Sequence, residues 1–365
     1  MNKVCVVDFD MSVRGGVEQV SASLTAALAD HYEVHLVSLC MGGEPAYTLD
    51  SRVKFTSLLG KEYRLRDMRR DLKKPLRRYF NENGIDVAII MGNYPGFLTS
   101  TARFGTKTKL VFCDHGALMN QWERKDIVAI RLISSLLSHR VVTLTEQSRE
   151  DYRRKFHLKK NKVQCIYNWI DLDRPRSERY DLSSKKIVSA GRFGHEKGFD
   201  LLVQAFAPVA RKHPDWQLDL FGDGEMMDKV KALIAELDLG EKVNLLGMRT
   251  DLDERYRYYA MYVLPSYREG MPLVLLEAKA NRLPIVSFDI MTGPREIVTD
   301  GVDGFLIPPY DLEQMASAIG RLIEDDGLRR SMSDRSQDNL NRFSKAAIVS
   351  QWRELIDSLS SQPKE

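Results

Sequence analysis

Two glutamates in the last third of the chain are spaced so that both could face one ligand. Glu269 and Glu277 belong to segment 265–278, Pro-Ser-Tyr-Arg-Glu-Gly-Met-Pro-Leu-Val-Leu-Leu-Glu-Ala, which follows a short apolar run typical of a buried parallel strand. Pro272 suits the first turn of a helix, so Glu269 is predicted just before that helix and Glu277 within it. The backbone N–H groups of 270–273 are expected to point into the same crevice and to attract an anion. A diphosphate with hydroxyl-rich ends, such as a nucleotide sugar, would fit between the two carboxylates.

This glutamate pair is weak evidence by itself, because about one pair at this spacing arises by chance in a chain of this length. Two solvated glutamates on a surface helix are the alternative interpretation. The remaining residues that could do chemistry must therefore decide between the two.

Two cations follow another predicted strand. Arg192 and Lys197 lie in Gly191-Arg-Phe-Gly-His-Glu-Lys-Gly198, directly after the apolar run 186–190. Cations at the carboxyl end of a strand suit a departing nucleoside diphosphate, whose charge grows in the transition state. Arginine can bind phosphate oxygens in bidentate fashion, and lysine acts as a point charge. The alternative is a solvated surface loop.

Two glycines and a histidine follow strands in the N-terminal half. Gly15 and Gly16 separate the first strand from a helix predicted over 17–28. Glycines let the backbone approach a ligand, and a helix N-terminus favours negative charge. His115 lies just past the fourth predicted strand, with Asp114 as a neighbour that could orient it. An ordinary glycine turn and a structural histidine are the alternatives.

Short apolar strands alternate with helices in both halves of the chain, which predicts parallel sheets covered on both faces. The expected fold class is α/β, with two Rossmann-like domains whose sheets face each other across a cleft and bind ligands at the strands' carboxyl ends. Helices are predicted over 312–325 and 345–359. Strands are predicted over 4–7, 33–39, 87–91, 110–113, 141–144, 163–166, 186–190, 217–221, 243–246, 261–264, 284–288 and 304–307.

The segment between the halves is polar and aperiodic, which indicates a linker. A C-terminal helix is expected to pack back towards the N-terminal domain. The predicted boundaries are an N-terminal domain over 1–171, the linker over 172–184, a C-terminal domain over 185–345, and that helix with a tail over 346–365.

The composition is typical of a globular protein, with 43% hydrophobic and 29% charged residues among 365. A net charge of +3 does not favour nucleic acid as a partner. The N-terminus does not read as a signal peptide, and no run approaches the ~18 apolar residues of a membrane span. The four cysteines lack metal-ligand spacing and are predicted to be reduced core thiols. We therefore expect a cytoplasmic protein.

The nucleotide fingerprint Gly-x-Gly-x-x-Gly follows none of the predicted strands. Phe221-Gly-Asp-Gly-Glu225 stops after its second glycine, although its glycines permit a tight turn. A nicotinamide-dependent dehydrogenase is therefore disfavoured.

The order of these motifs resembles that of family 4 retaining glycosyltransferases with the GT-B fold, and in particular of bacterial surface-polysaccharide glycosyltransferases. The similarity covers about residues 3–350. The resemblance implies an EC 2.4.1.- enzyme that transfers a hexose or N-acetylhexosamine from a UDP-sugar to a saccharide acceptor, with retention of configuration. The motifs that carry it are Gly15-Gly-Val-Glu18, Gly191-Arg-Phe-Gly-His-Glu-Lys-Gly198, Phe221-Gly-Asp-Gly-Glu225, Glu269 with Glu277, Ser287-Phe-Asp289 and Pro294-Arg-Glu296.

The resemblance also implies that the N-terminal domain binds the acceptor and that the C-terminal domain binds the nucleotide sugar. It further implies roles for individual residues. Glu269 would bind hydroxyls of the donor sugar and Glu277 those of the ribose, and His115 would contact the transferred sugar. Arg192 and Lys197 would stabilise the leaving diphosphate. The predicted catalytic residues are His115, Arg192, Lys197 and Glu269, and the predicted donor-binding residues are Gly15, Gly16, Arg192, Lys197, Glu225, Met248, Arg249, Glu269, Gly270, Met271, Pro272, Leu273 and Glu277.

We expect neither a metal nor another cofactor. Asp8-Phe9-Asp10 matches the Asp-x-Asp pattern that binds a divalent metal in the other large glycosyltransferase fold. Here the pattern ends the first strand of a Rossmann-like half, and Arg192 and Lys197 could already neutralise the phosphates.

The resemblance implies an acceptor saccharide on a polyprenyl diphosphate at the inner membrane face. Segment 61–80 could attach the protein there, because 61–78 holds nine Lys/Arg and three Asp/Glu. Such a basic helix can lie on anionic lipid, or it can pack on the sheet by its apolar face and leave the basic side solvated, and the two are compatible. The apolar residues at helical spacing are Leu65, Met68, Leu72, Leu76 and Tyr79.

Two other functions remain open from the sequence. A sugar-nucleotide epimerase on the same fold would need acid and base groups around the sugar and no acceptor. A non-catalytic nucleotide-sugar-binding protein would bind the donor without turnover. The identity of the sugar, the acceptor and the linkage depends on pocket shape, and uracil is expected from the resemblance alone.

Overall fold

The computed structural model of the chain describes residues 1–60, 65–176 and 180–361. Two compact units are present: unit 1 comprises residues 1–168 and the segment from Ala346 onward, and unit 2 comprises Trp169–Lys345. Three parts of the predicted segments lie outside the described residues: 61–64 of the basic helix, 177–179 of the linker and 362–365 of the tail.

A seven-stranded parallel sheet forms the centre of unit 1. Its strands are β1 Lys3–Asp8, β2 Glu33–Ser38, β3 Lys54–Ser57, β4 Val87–Met91, β5 Lys109–Asp114, β6 Arg140–Thr143 and β7 Val163–Cys165. They lie in the order β3-β2-β1-β4-β5-β6-β7. The edge strand β3 was not predicted, because its residues are exposed or only partly buried and so lack the apolar run that marks the other strands.

The helices that cover this sheet bury their apolar faces against it. They are α1 Gly16–Leu28, α2 Leu65–Asp71, α3 Lys73–Asn83, α4 Asn93–Ala102, α5 Lys125–Leu137 and α6 Glu146–Lys155. Met68 of α2, Leu76 and Phe80 of α3, and Leu72 between the two helices are buried in the core of unit 1. The described part of the predicted apolar stripe, from Met68 onward, therefore packs inward, and the exposed side of these helices is mainly basic.

A six-stranded parallel sheet forms the centre of unit 2. Its strands are β8 Lys186–Ala190, β9 Gln217–Phe221, β10 Val243–Leu245, β11 Met261–Leu264, β12 Ile285–Phe288 and β13 Gly304–Ile307, in the order β10-β9-β8-β11-β12-β13. Its helices are α7 Phe199–Lys212, α8 Met227–Glu236, α9 Leu252–Arg255, α10 Leu273–Ala280, α11 Pro294–Ile297, α12 Leu312–Glu324 and α13 Asp326–Arg335. Both sheets follow the predicted α/β pattern, so the prediction of two Rossmann-like halves is confirmed.

The last helix, α14 Lys345–Ser360, packs on unit 1 by an apolar face that includes Trp352 and Ile356. Tyr32 Oη donates to Asp357 Oδ1 at 2.8 Å. All four cysteines of the chain are free and buried. Within the described ranges, no helix combines the length and apolarity needed to cross a bilayer.

The described part of the predicted linker is packed along unit 2 rather than extended into solvent. Ser184 Oγ donates to Tyr258 O at 2.7 Å, and Arg329 Nη2 donates to Leu182 O at 2.9 Å. Arg176 binds a carboxylate that lies 77 positions further along the chain. No local sequence pattern indicates such distant contacts.

Candidate functional site

The loops that follow neighbouring strands of unit 2 are hydrogen-bonded to one another at the carboxyl edge of the sheet. Between the loops after β8 and β9, Phe193 N–H donates to Asp223 O at 2.8 Å. Between the loops after β9 and β10, Gly222 N–H donates to Gly247 O at 2.9 Å. Because the carboxyl ends of parallel strands share one edge, these bonds gather residues from distant sequence motifs into one place.

Glycine is required where these loops touch. A Cβ added to Gly222, at φ +134°, would lie 1.8 Å from Gly191 O. A Cβ added to Gly198, at φ +65°, would lie 2.2 Å from Pro265 O. Both positions combine a backbone conformation that favours glycine with a contact that leaves no room for a side chain.

Lys197 and Glu269 face each other from the loops after β8 and β11. Lys197 Nζ lies 2.7 Å from Glu269 Oε1, and 22% and 9% of the two side chains are exposed. Ser266 Oγ donates to the same Oε1 at 2.7 Å. Thr292, after β12, donates to the backbone carbonyl of Glu269 at 2.7 Å. The carboxylate is therefore held by the Ser266 hydroxyl and the Lys197 ammonium, while Thr292 fixes the backbone of Glu269.

Arg192 lies on the solvent side of the same loop. Its Nη2 donates to Glu196 Oε1 at 2.8 Å, and 66% of its side chain is exposed. The hydrogen bond to Glu196 raises the pKa of the guanidinium, and the charge of the exposed Glu225 adds to this effect. Arg192 thus has two nearby carboxylates and enough exposure to reorient towards an anion.

Helix α10 begins one residue later than predicted. Pro272 is its N-cap, and Leu275 N–H makes the first backbone bond, to Pro272 O at 3.0 Å. The expectation that all of 270–273 would offer N–H groups was wrong for Pro272, because proline has no amide hydrogen. Leu273 lies in the first turn, where helix geometry leaves the amide without an intrahelical acceptor.

Glu277 lies in the second turn of α10, with a partly exposed side chain. Its Oε2 is 3.5 Å from Tyr256 Oη, and Tyr256 is fully buried. Burial raises the pKa of the Glu277 carboxyl to about 7, the nearby charge of Asp253 acts in the same direction, and Arg176 opposes it. Glu277 therefore titrates close to neutral pH.

Two of the predicted donor-binding residues follow β10. Met248 has 58% of its surface exposed. Arg249 is half-exposed and donates to Asp251 through Nε and Nη2, at 2.9 and 3.0 Å. Both residues lie at the same edge of the sheet as the Lys197–Glu269 pair, on the side of β10.

The predicted residues of unit 1 share the carboxyl edge of the other sheet. Gly15 and Gly16 follow β1, His115 follows β5, and β4 lies between those two strands. A Cβ on Gly15 would lie 2.4 Å from Glu18 Oε2. Burial raises the pKa of Glu18 to about 7, and the charges of Asp8 and Asp10 add to this. The Glu18 carboxyl therefore lies at the N-terminus of α1.

His115 is an uncharged group at neutral pH. Burial lowers the pKa of its imidazole to about 4. Its Nε2 lies 3.5 Å from Cys113 Sγ. A neutral imidazole can donate or accept a hydrogen bond to a sugar hydroxyl, but it supplies no positive charge.

Asp114 has partners other than the neighbouring histidine. Arg131 of α5 and Tyr152 of α6 both reach its Oδ2, at 3.0 and 2.7 Å. Gly116 N–H donates to Oδ1 at 3.1 Å. The suggestion that Asp114 orients the His115 ring is replaced by an indirect role, in which Asp114 fixes the turn that carries it.

Asp8 and Asp10 of the Asp-x-Asp pattern make local hydrogen bonds. Ser21 Oγ and Phe9 N–H donate to the two oxygens of Asp8. Ser12 donates to Asp10 from both its hydroxyl and its amide. Across the described ranges, no cluster of three or more His, Cys, Asp or Glu side chains is arranged to hold a metal ion.

Sequence reasoning missed Ser266, Thr292 and Tyr256, which contact Glu269 or Glu277 in unit 2, and Arg131, which contacts Asp114 in unit 1. Ser266 stood inside the Glu269 motif, and a serine three residues before a carboxylate is a local signal that could have been used. Thr292 and Tyr256 lie 23 and 21 positions from the glutamates that they contact, and Arg131 lies 17 positions from Asp114. Their contacts arise only from the fold.

Comparison with known proteins agrees with the fold and identifies the family. Residues 14–174 match the family described as Glycosyltransferase Family 4, and residues 173–339 match Glycosyl transferases group 1. An N-acetylgalactosamine-N,N'-diacetylbacillosaminyl-diphospho-undecaprenol 4-alpha-N-acetylgalactosaminyltransferase from Campylobacter jejuni is 29% identical over 92% of this chain and 94% of that protein. The amylovoran biosynthesis glycosyltransferase AmsD of Erwinia amylovora is 27% identical over 98% of this chain and 100% of that protein.

Among solved structures, HepE from Anabaena in complex with UDP-glucose superposes with a TM-score of 0.82 at 19% identity, over 98% of this chain and 99% of that one. Two parallel Rossmann-like sheets together with these matches define a GT-B glycosyltransferase. The chain belongs to glycosyltransferase family 4 and is related to enzymes of bacterial polysaccharide synthesis. The epimerase and the non-catalytic alternatives are therefore set aside.

Proposed function

We propose that this glycosyltransferase moves a hexose or N-acetylhexosamine from a UDP-sugar to a saccharide carried on a polyprenyl diphosphate, with retention of the α configuration, in surface polysaccharide assembly. The observation that carries the proposal is the Lys197–Glu269 contact of 2.7 Å between two strand-end loops. It brings a cation for the leaving diphosphate next to a carboxylate for the sugar. The UDP-glucose complex of HepE and the undecaprenol-linked substrate in the name of the Campylobacter relative support the donor and acceptor classes.

Each residue in the proposed mechanism acts on one part of the donor. Lys197 and Arg192 bind the diphosphate as its charge grows, together with the amide of Leu273. Glu269 accepts hydrogen bonds from the sugar hydroxyls and stabilises an oxocarbenium-like transition state. Glu277 accepts hydrogen bonds from the ribose hydroxyls. Neutral His115 makes a hydrogen bond to the transferred sugar.

The bond changes balance without a protein nucleophile. The bond between the anomeric carbon and the diphosphate oxygen breaks, and the acceptor oxygen forms a bond to that carbon on the same face. The acceptor hydroxyl proton passes to an oxygen of the leaving diphosphate. The products are the extended saccharide and UDP.

Replacing Lys197 tests the proposal directly. Lys197→Ala is expected to lower kcat/KM by about 100-fold, which corresponds to about 3 kcal/mol of transition-state stabilisation. Lys185→Ala is the matched control, because it removes another lysine–carboxylate pair, 2.6 Å from Asp215, at the opposite edge of the same sheet. Near-wild-type transfer by Lys197→Ala would contradict the proposed role of Lys197 at the leaving diphosphate.

The donor is identified by thermal unfolding with UDP-, GDP- and ADP-sugars, because a ligand that binds only the folded state raises its stability. A shift with UDP-sugars alone is expected. A shift with GDP- or ADP-sugars alone would overturn the uracil assignment and leave the transferase reaction intact. Transfer itself is then measured with a short saccharide on a polyprenyl diphosphate.

We also propose that the basic exterior of α2 and α3 attracts an anionic membrane surface. Lys73, Lys74 and Arg78 are exposed there, while the apolar side chains beneath them are buried in the core. Attachment would therefore be electrostatic and would weaken as salt rises. Insertion of the apolar stripe, one way in which such a helix binds lipid, would require unpacking the core.

Sedimentation with vesicles of phosphatidylcholine and phosphatidylglycerol tests this attachment. Replacing Lys73, Lys74 and Arg78 together by Glu should abolish binding. Replacing Lys212, Lys229 and Lys231 of unit 2 by Glu changes the net charge equally at exposed positions elsewhere and should leave binding in place. Equal loss in both variants would indicate an effect of net charge and not a surface on these helices.

A further inference from the structure

A largely buried ion pair anchors the segment before β8 close to Glu277. Arg176 donates to Asp253 through Nε and Nη2, at 3.1 Å to Oδ1 and 3.0 Å to Oδ2. Only 9% and 15% of the two side chains are exposed. Asn281 Nδ2 donates to Asp253 Oδ1 at 2.7 Å, and Arg176 Nη1 donates to Asp171 O at 2.6 Å. Both members of the pair are therefore held in place, which gives this bidentate contact a fixed geometry.

Asn281 connects the pair to Glu277, because the Asn281 Nδ2 that binds Asp253 also donates to the Glu277 backbone carbonyl at 2.9 Å. The charged and titratable groups that act on the Glu277 carboxyl are Asp253 and Tyr256 from α9 and the turn after it, Arg174 and Arg176 from the segment before β8, and Tyr262 from β11. Asp253 is the negative charge among them. Tyr256 and Tyr262 are buried and uncharged, so the balance is set by one carboxylate and two guanidinium groups.

We propose that Arg176 is a positioning residue for donor binding, which neutralises Asp253 and thereby keeps Glu277 ionised for hydrogen bonds from the ribose hydroxyls. The inference rests on the proposed function, in which Glu277 binds the ribose. An ionised carboxylate offers only acceptor oxygens, and hydrogen bonds to it are stronger than those to the neutral acid. The segment predicted to be a linker would then contribute to the donor site.

The sign of the effect follows from the charges. Without Arg176, the charge of Asp253 is unbalanced and raises the pKa of Glu277 above its value of about 7. More Glu277 is then protonated at neutral pH, so donor affinity falls there and recovers as pH rises. Asp253→Asn has the opposite effect, because it removes the negative charge that disfavours ionisation.

The experiment measures the affinity for UDP-glucose by calorimetry between about pH 6 and about pH 8.5. UDP-glucose is preferred to UDP, because a terminal phosphate titrates near pH 6 and would add its own pH dependence. Wild-type affinity should rise through pH 7. Arg176→Met should bind about 2- to 5-fold more weakly at pH 7, with its midpoint raised by about 0.5 to about 1 pH unit. Arg176→Lys, which keeps the charge, should lie between the two.

Arg174→Met is the matched control. Arg174 contacts the same carboxylate, at 3.3 Å from Asp253 Oδ2, but 63% of its side chain is exposed. Solvent screens such a charge, so the midpoint should move clearly less than in Arg176→Met. If Arg176→Met unfolds, Asp253→Asn decides, with a midpoint lowered below that of the wild type as the expected result.

An unchanged midpoint in folded Arg176→Met, or in Asp253→Asn where that variant decides, would overturn the inference. Glu277→Gln separates this outcome from failure of the proposed function. If Glu277→Gln binds UDP-glucose weakly and without pH dependence, Glu277 acts at the donor and only the role of Arg176 is at stake. If Glu277→Gln binds like the wild type, the ribose assignment itself is wrong, and the inference is overturned with it.

Discussion

The guanidinium of Arg131 and the carboxylate of Asp114 form an ion pair inside unit 1, with 3.0 Å between Nε and Oδ2 and both side chains buried. Tyr152 and Gly116 complete the hydrogen bonds of the carboxylate. Asn93 Oδ1 accepts from Arg131 Nε at 3.0 Å. The pair thus connects the carboxyl ends of β4 and β5 and fixes the turn that carries His115.

Breaking this pair should cost much of the stability of the protein. Arg131→Met leaves Asp114 buried without its cation and is expected to lower the free energy of unfolding by about 3 to 5 kcal/mol, as measured by urea denaturation. Arg124→Met is the control, because the Arg124–Asp126 pair lies at the start of the same helix with 62% and 59% of its side chains exposed. Its denaturation midpoint should match that of the wild type. Similar loss in both variants would contradict the distinction between buried and exposed pairs.

The limits of prediction from the sequence are visible at this pair. Strands such as β4 and β5 are continuous apolar runs, so their positions, and that of His115 beyond β5, could be predicted. The partner of Asp114 lies 17 positions away on a helix whose sequence shows no periodic signal for a buried arginine. For the same reason Arg176 appeared to belong to a solvated linker. Local patterns indicate where a strand ends, while ion pairs between elements depend on three-dimensional packing.

Gly222 is expected to be essential for the donor site. In Gly222→Ala, the new Cβ would clash with Gly191 O. The residue would also have to keep a φ of +134°, a backbone conformation that alanine rarely takes. The loops after β8 and β9 would have to separate, at a cost of at least about 2 kcal/mol of stability. Donor-induced thermal stabilisation should disappear. Gly240→Ala is the control, because an added Cβ meets nothing within 4 Å there, and it should retain both stability and the donor-induced shift. Donor binding by a well-folded Gly222→Ala would contradict this prediction.

His115 should contribute to transfer as a neutral group. Since burial lowers the pKa of its imidazole to about 4, the ring stays uncharged throughout the pH range near neutrality. His115→Gln is expected to lower kcat/KM by about 10-fold or more, through loss of a hydrogen bond, without changing the shape of the pH–rate profile between about pH 5.5 and about pH 8.5. Disappearance of a titration step near pH 6 to 7 in the variant would show that His115 acts through protonation.

The Glu277 carboxyl is expected to lower the stability of the protein above neutral pH and to strengthen donor binding. The pKa of this carboxyl is raised from the ordinary value of 4.5 to about 7 in the folded state. Folding therefore takes up a proton between these two pH values. The contribution of this group to the free energy of unfolding falls as pH rises through the same range. Glu277→Gln removes the cost of ionising a poorly solvated carboxyl and should stabilise the protein at about pH 8 by about 1 to 3 kcal/mol, with little change at about pH 4.5. The same variant should bind UDP-glucose less tightly.

Glu236→Gln, at an exposed position of α8, should show neither effect. Urea denaturation at the two pH values checks the prediction, and an equal stability change at both would mean that ionisation of Glu277 is not the cause. A gain in stability together with a loss of affinity is expected where a binding site keeps a charge in a poorly solvated place.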